Sequence, residues 1–178
     1  ELGDKFEQVK EMGFDAVERA GGVLLDGDER VQADSASTGL PVKMVCGGYG
    51  GWIGDSDEDR RQQGLSDIEE ILRISGGMGI EGIVVPAAWG MFSLRLPPMT
   101  PPRDADEDRK VLLDSLARPD RVAGQTGTRV YLEPLNRYEN HMILLVQEAV
   151  TYIKEGGFAN VLVTADYFHM NIEEAVIA

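Results

Sequence analysis

The sequence predicts an α/β protein in which helices cover a parallel β-sheet. Two observations support this fold class. Short apolar runs alternate with amphipathic segments, which is the pattern of repeated strand–helix units. Polar side chains follow most of the apolar runs, at the positions where strands of a parallel sheet end: Glu18, Cys46, Trp89, Glu133 and Asp166. A doubly wound sheet and a (β/α)8 barrel both place functional residues there, so the pattern alone leaves both folds open.

Apolar runs and helix signals give the element order. The predicted strands cover residues 14–18, 41–46, 82–87, 129–133 and 161–166. The predicted helices cover residues 2–12, about 28–37, 66–76, 104–123 and 141–155. Ser66 and Glu69 resemble a capping box for the third helix, and Asn171 with Glu174 could cap a further helix near the end.

Length and composition are those of an ordinary globular protein. The chain has 178 residues, of which 43% are apolar, and we expect a single domain over residues 1–178. No apolar run approaches the ~20 residues that cross a bilayer, and no secretory signal is visible. A single cysteine fits a reducing compartment, so we expect a cytoplasmic protein.

The chain is strongly acidic, with a formal net charge of −14. Binding to a phosphate backbone depends on clustered lysine and arginine, so nucleic acid is not expected as a partner. The acidic residues on the predicted helices indicate a solvated surface.

Glu133 and Asp166 are the most informative pair of residues. Each directly follows a strand-like run, and they lie about one strand–helix–strand unit apart. Carboxylates at equivalent ends of neighbouring parallel strands would lie close together, and this arrangement is typical of a metal site.

Five segments of the chain resemble the sugar isomerase/epimerase family, the xylose-isomerase-like TIM barrels that include ketose 3-epimerases. These segments are Cys46–Trp52, Val84–Ala87, Leu96–Arg103, Glu133–Glu139 and Asp166–Glu174. The resemblance follows the family's order along the chain and favours the (β/α)8 barrel over the doubly wound sheet. It implies an incomplete barrel in which the five visible strands are strands two to six.

The resemblance also implies what this chain would lack. In the family, strands seven and eight supply a histidine and a glutamate that complete the metal site, and strand eight carries the second acid–base group. We therefore expect weak metal binding and poor turnover from this chain. Because an open barrel exposes strand edges, we also expect a homo-oligomer.

The resemblance assigns roles to four residues. Glu133 matches the glutamate that binds the metal and exchanges the substrate proton, and Asp166 matches a second metal ligand. His169 and Glu139 match substrate contacts. Carboxylates suit Mn²⁺, Mg²⁺ or Co²⁺.

Other residues near the predicted site are interpreted with less support from the family. Cys46 is expected to line the substrate pocket, and Trp89 could stack on a sugar or simply pack. A catalytic thiolate is not expected at Cys46, because no nearby cation or base is evident. Arg137 could pair with Glu133 or belong to the rim, and His141 is expected at the surface.

The predicted function is metal-dependent isomerisation or epimerisation of a ketose or related small sugar, by proton transfer next to a carbonyl through an enediolate. The main alternative is a catalytically incomplete barrel remnant that acts as a binding or structural protein. An inosose dehydratase or a hydroxypyruvate isomerase is a related possibility. A DNA-repair endonuclease of the same superfamily is disfavoured by the two histidines and the acidic charge.

Overall fold

A computed structural model of the chain describes residues 2–27, 29–90 and 100–177. Residues 96–99 of the Leu96–Arg103 segment lie outside the described residues. The strands are β1 (Val17–Ala20), β2 (Val42–Cys46), β3 (Gly82–Pro86), β4 (Arg129–Glu133) and β5 (Val161–Val163). The helices are α1 (Leu2–Glu11), α2 (Gly21–Leu25), α3 (Glu29–Thr38), α4 (Glu58–Met78), α5 (Ala105–Thr126), α6 (Val146–Gly156) and α7 (Tyr167–Glu173).

The five strands form one parallel sheet in the order β1-β2-β3-β4-β5. A doubly wound sheet reverses its strand order at a switch point, whereas a barrel adds each new strand on the same side. The sequential order therefore excludes the doubly wound alternative and matches successive strands of a barrel.

One face of the sheet is buried under the helices. Val130 and Leu132 alternate toward this face and are fully buried, together with Val45 of β2. The residues between them point to the opposite face, which would line the interior of a barrel. In register across that face lie Glu18 with Met44, and Tyr131 with Leu162. None of the helices in the described part of the chain has both the length and the apolar composition that a bilayer crossing requires.

Several predicted boundaries were wrong. The first strand is Val17–Ala20 rather than residues 14–18, and the sixth helix begins at Val146 rather than at 141. Helix α2 was not predicted, because its Gly21–Gly22 start is a poor helix signal in sequence.

The predicted helix caps were also wrong. Helix α4 begins two turns before Ser66, and Asp57 caps it by accepting hydrogen bonds from the N–H groups of Asp59 and Arg60. Asp166, rather than Asn171, caps α7 by accepting from the N–H of Phe168 at 2.7 Å. Asp57 precedes a polar first turn that has no apolar periodicity, whereas Asp166 directly precedes Tyr167 and Phe168 and was interpreted as a metal ligand instead of a cap.

A buried ion cluster ties three loops together above the carboxyl ends of the strands. Arg103 donates to the Asp108 carboxylate at 2.7 Å and to the carbonyl oxygens of Gly54 and Asp55. The ring of His141 lies 3.2 Å from the other oxygen of Asp108, and its side chain is only 10% exposed. We call Arg103, Asp108 and His141 the rim cluster. The expectation of a surface position for His141 was therefore wrong, because its burial depends on residues distant in sequence.

The glycine-rich loop after β2 packs directly on helix α4. A Cβ atom added at Gly64 would lie 2.7 Å from the carbonyl carbon of Gly51, well inside normal contact distance. Gly77, in the same helix, has no atom within 4 Å of an added Cβ. The two glycines thus differ in packing while sharing a helical backbone.

We expect Gly64→Ala to lower the free energy of unfolding by about 1–3 kcal/mol, because the methyl group must displace the backbone of the loop. The matched variant Gly77→Ala should raise it by up to about 1 kcal/mol, since alanine favours the helix without a clash. Urea denaturation of both variants measures the difference. Equal effects of the two substitutions would contradict the close packing of loop and helix.

Candidate active site

Three chemically reactive side chains converge beyond β4 and β5. Glu133 is the last residue of β4, Asp166 precedes α7, and His169 lies in the first turn of α7. One ligand atom from each lies within 4.8 Å of the other two. The structure thus brings together the two carboxylates that the sequence placed at neighbouring strand ends.

The charges in this cluster are poorly compensated. Burial, followed by the negative charges of Asp166, Glu18 and Glu139, raises the pKa of Glu133 from 4.5 to about 7. Arg137 does not neutralise Glu133, because its guanidinium binds Glu173 at 2.8 Å. Within the described part of the chain, Glu133 has no salt-bridge partner. A divalent cation is the kind of group that such a carboxylate cluster would hold.

His169 is buried and is held from one side. The backbone N–H of Asn136 lies 3.1 Å from Nδ1, and the side-chain Nδ2 of Asn136 lies 2.9 Å from the same atom. The other ring nitrogen, Nε2, lies 4.0 Å from Asp166 Oδ2. The ring therefore turns Nε2 toward the carboxylates.

Two further predicted site residues are hydrogen-bonded to each other. The indole N–H of Trp89 donates to Glu139 Oε2 at 2.9 Å, while Asn136 donates to Glu139 Oε1 at 2.8 Å. Trp89 is 55% exposed, so its ring is available for contact beyond the protein. Glu139 is thereby fixed by two donors beside the Glu133 cluster.

Cys46 lies at the end of β2 and is exposed. Partial burial, with the charges of Glu18 and Glu133, raises the pKa of its thiol to about 11. The thiol therefore stays protonated near neutral pH, as expected for a residue without a nucleophilic role.

Sequence reasoning assigned no site role to three residues of this region, although it noted Glu18 as a polar residue at a predicted strand end. Glu18 is the second residue of β1, and partial burial raises the pKa of its carboxyl group. The hydroxyl of Tyr49 is buried without a hydrogen-bond partner in the described part of the chain. Asn136 lies inside the Glu133–Glu139 segment, but nothing in the sequence distinguishes it from a loop asparagine.

Comparisons with known proteins match this arrangement. The sequence pattern of the family described as "Xylose isomerase-like TIM barrel" matches residues 6–177. The 3-dehydro-D-guloside 4-epimerase of Escherichia coli (strain K12) is 54% identical over 98% of this chain and 67% of its own length. The L-ribulose 3-epimerase of Mesorhizobium japonicum is 29% identical over 98% of the chain and 58% of its own length.

Solved structures agree in fold. The crystal structure of 3-keto-D-glucoside 4-epimerase from E. coli superimposes with a TM-score of 0.94 at 53% identity, over 98% of this chain and 66% of that one. The D-psicose 3-epimerase of Clostridium cellulolyticum H10, solved with D-tagatose, gives a TM-score of 0.81 at 26% identity, over 99% and 62% of the two chains.

The chain spans about two-thirds of the length of these E. coli relatives. The family match nevertheless covers nearly the whole chain, and the sheet order and the strand-end carboxylates agree with the expected barrel. The chain belongs to the xylose isomerase-like TIM barrel family, in which its relatives are sugar epimerases.

Proposed function

We propose that this chain acts as a metal-dependent sugar epimerase that moves a proton next to a carbonyl through an enediolate. The observation that carries the proposal is the convergence of Glu133, Asp166 and His169, whose ligand atoms lie within 4.8 Å of one another. Burial and the neighbouring negative charges raise the pKa of Glu133 to about 7 without a cation, and a bound cation would lower that pKa and keep the carboxylate ionised as a base. Glu133 would take the proton from one face of the substrate carbon. Inversion also needs an acid that returns a proton to the opposite face, and the family resemblance places that acid on strand eight.

The metal would be held by Glu133 and Asp166. Both are oxygen ligands of the kind that Mn²⁺, Mg²⁺ and Co²⁺ accept. Burial and, after it, the neighbouring negative charges raise the pKa of Glu133, and a cation would favour its ionised form. When bound, the cation supplies a Lewis acid that stabilises negative charge on the substrate oxygens. His169 and Glu139 would orient the sugar by hydrogen bonds to its hydroxyl or carbonyl groups.

The proposed substrate is a glycoside oxidised at C3, with epimerisation at C4. The relative named for 4-epimerisation of a 3-dehydro-guloside is 54% identical over 98% of the chain. The D-psicose 3-epimerase of Ruminiclostridium cellulolyticum is 42% identical over only 40% of it. In both reactions the exchanged proton lies on a carbon next to a carbonyl, so the same base serves either substrate. A free ketose is therefore the second substrate to test.

We expect Glu133→Gln to stabilise the chain at high pH. A carboxyl group whose folded-state pKa lies above its unfolded value favours folding at low pH, and this contribution is lost as pH rises from about 4.5 to about 7. The change in the free energy of unfolding caused by Glu133→Gln should therefore be more stabilising at about pH 8 than at about pH 4, by about 1–3 kcal/mol. Denaturation at both pH values measures this.

The control for this experiment is Glu81→Gln, which removes an exposed glutamate outside the cluster. Its effect should depend little on pH over the same range. If the effect of Glu133→Gln is the same at both pH values, the raised pKa of Glu133 is contradicted.

Metal binding is tested by calorimetric titration of the purified chain with Mn²⁺. We expect Glu133→Gln and Asp166→Asn each to weaken binding at least about tenfold, because each removes a charged ligand. The control Glu70→Gln removes an exposed carboxylate that pairs with Arg73 on α4, outside the cluster, and should bind as the unmodified chain does. Binding unaffected by either ligand substitution, or no binding in any form, would contradict the proposed site.

The reaction itself is tested by incubating the chain and Mn²⁺ with a methyl 3-dehydroglycoside in D₂O. Proton magnetic resonance should show deuterium entering at C4, and Glu133→Gln should slow this about 10²–10⁴-fold because it removes the base. D-fructose, monitored at C3, tests the ketose alternative. Exchange that persists in Glu133→Gln would contradict the role of Glu133. The absence of exchange with both sugars would favour the non-catalytic barrel remnant.

A further inference from the structure

Asn136 lies fully buried in the loop after β4, at 1% exposure. Each polar atom of its side chain has a partner. Oδ1 accepts from the N–H of Tyr138 at 3.0 Å, and Nδ2 donates to Glu139 Oε1 at 2.8 Å. A backbone N–H can only donate and an ionised carboxylate can only accept, so these two partners fix which way the amide points.

The fixed amide determines the state of the His169 ring. The backbone N–H of Asn136, at 3.1 Å, is a donor with no acceptor capacity, and Nδ2, at 2.9 Å, is also a donor. Nδ1 must therefore present its lone pair. A neutral imidazole with a free lone pair on Nδ1 carries its proton on Nε2.

We propose that Asn136 is a positioning residue that holds His169 as an Nε2–H donor. The proposal builds on the sugar-epimerase function proposed above. A ring nitrogen that carries a proton has no lone pair for a cation, so His169 would not ligate the metal despite lying in the same cluster as Glu133 and Asp166. The Nε2–H group is instead left for a substrate oxygen.

The distance to Asp166 shows that Asp166 does not engage Nε2. Nε2 lies 4.0 Å from Asp166 Oδ2, which is beyond hydrogen-bond range. The Nε2–H group therefore points toward the carboxylates but makes no hydrogen bond to Asp166. The other oxygen of Asp166, Oδ1, accepts a hydrogen bond from the N–H of Phe168. This bond holds the Asp166 side chain at the start of α7.

Asn136 also links His169 to the other proposed sugar contacts. Its Nδ2 group bridges to Glu139, which accepts from the indole of Trp89. The three side chains come from beyond β3, β4 and β5, so one buried amide sets the relative orientation of groups from three strands. Loss of that amide should disturb all three together.

The test is nitrogen magnetic resonance of the chain labelled with ¹⁵N-histidine, without metal or substrate, at about pH 8, where imidazole is ordinarily neutral. The chain has two histidines, so His169→Gln identifies the signals of His169 by their loss. We expect Nδ1 to resonate as an unprotonated nitrogen and Nε2 as a protonated one. The reverse pattern would overturn the proposal, and this measurement needs no variant of Asn136.

The variant Asn136→Asp tests the role of the amide. It replaces the Nδ2 donor by an acceptor while the backbone N–H of residue 136 still faces Nδ1, so part of the His169 population should carry its proton on Nδ1 and the Nδ1 resonance should move part of the way toward the protonated class. The control Asn140→Asp adds a charge in the same loop, where Asn140 contacts the N–H groups of His141 and Met142 rather than His169. An unchanged His169 spectrum in folded Asn136→Asp would overturn the positioning role.

The outcome is separable from that of the proposed function. The position of the ring proton is read without metal or sugar, so it can support or overturn the role of Asn136 even if no C4 exchange is observed. Conversely, exchange at C4 could be observed while the His169 ring is protonated on Nδ1. That result would support the epimerase proposal and overturn the positioning role of Asn136.

Discussion

Two carboxylates from adjacent parallel strands are held together with little positive charge near them. The backbone fixes Glu133 as the last residue of β4, and the cap of α7 fixes Asp166 beyond β5. Neither position can relax without breaking the sheet register or the helix cap. Burial and, after it, the crowding of negative charge raise the pKa of Glu133. A bound divalent cation would compensate that charge. The candidate site is therefore a consequence of the sheet.

The polar side chains around the two carboxylates form a hydrogen-bonded group of their own. Asn136, Glu139 and Trp89 are linked by hydrogen bonds, and none of these bonds goes to Glu133. Under the proposed function, this separation would leave Glu133 free to gain and lose a proton while the proposed sugar contacts stay fixed. Catalysis depends on groups that are oriented before the substrate arrives. We propose that in this chain the buried amide of Asn136 supplies the orientation and that Glu133, whose pKa is raised by burial and by neighbouring charges, supplies the base.

The sequence was most informative where chain order alone determines position. Alternating strands and helices place Glu133 and Asp166 at neighbouring strand ends, whatever the details of packing. It was least informative where one side chain depends on another distant in sequence. The burial of His141 requires Asp108 and Arg103, and the role of Asn136 depends on which way its amide points. Helix starts were also misplaced, since Asp57 caps a polar turn that carries no apolar period.

The rim cluster has an evolutionary consequence. Arg103 reaches back to Gly54 and Asp55 while sharing Asp108 with His141, so three connecting segments are anchored to one buried charge. A relative in which only one of these segments is replaced would lose one partner of the buried ion pair and leave the other charge unpaired. We therefore expect changes of sugar preference among these relatives to replace all three connecting segments together, or to change loop residues that do not contact the rim cluster.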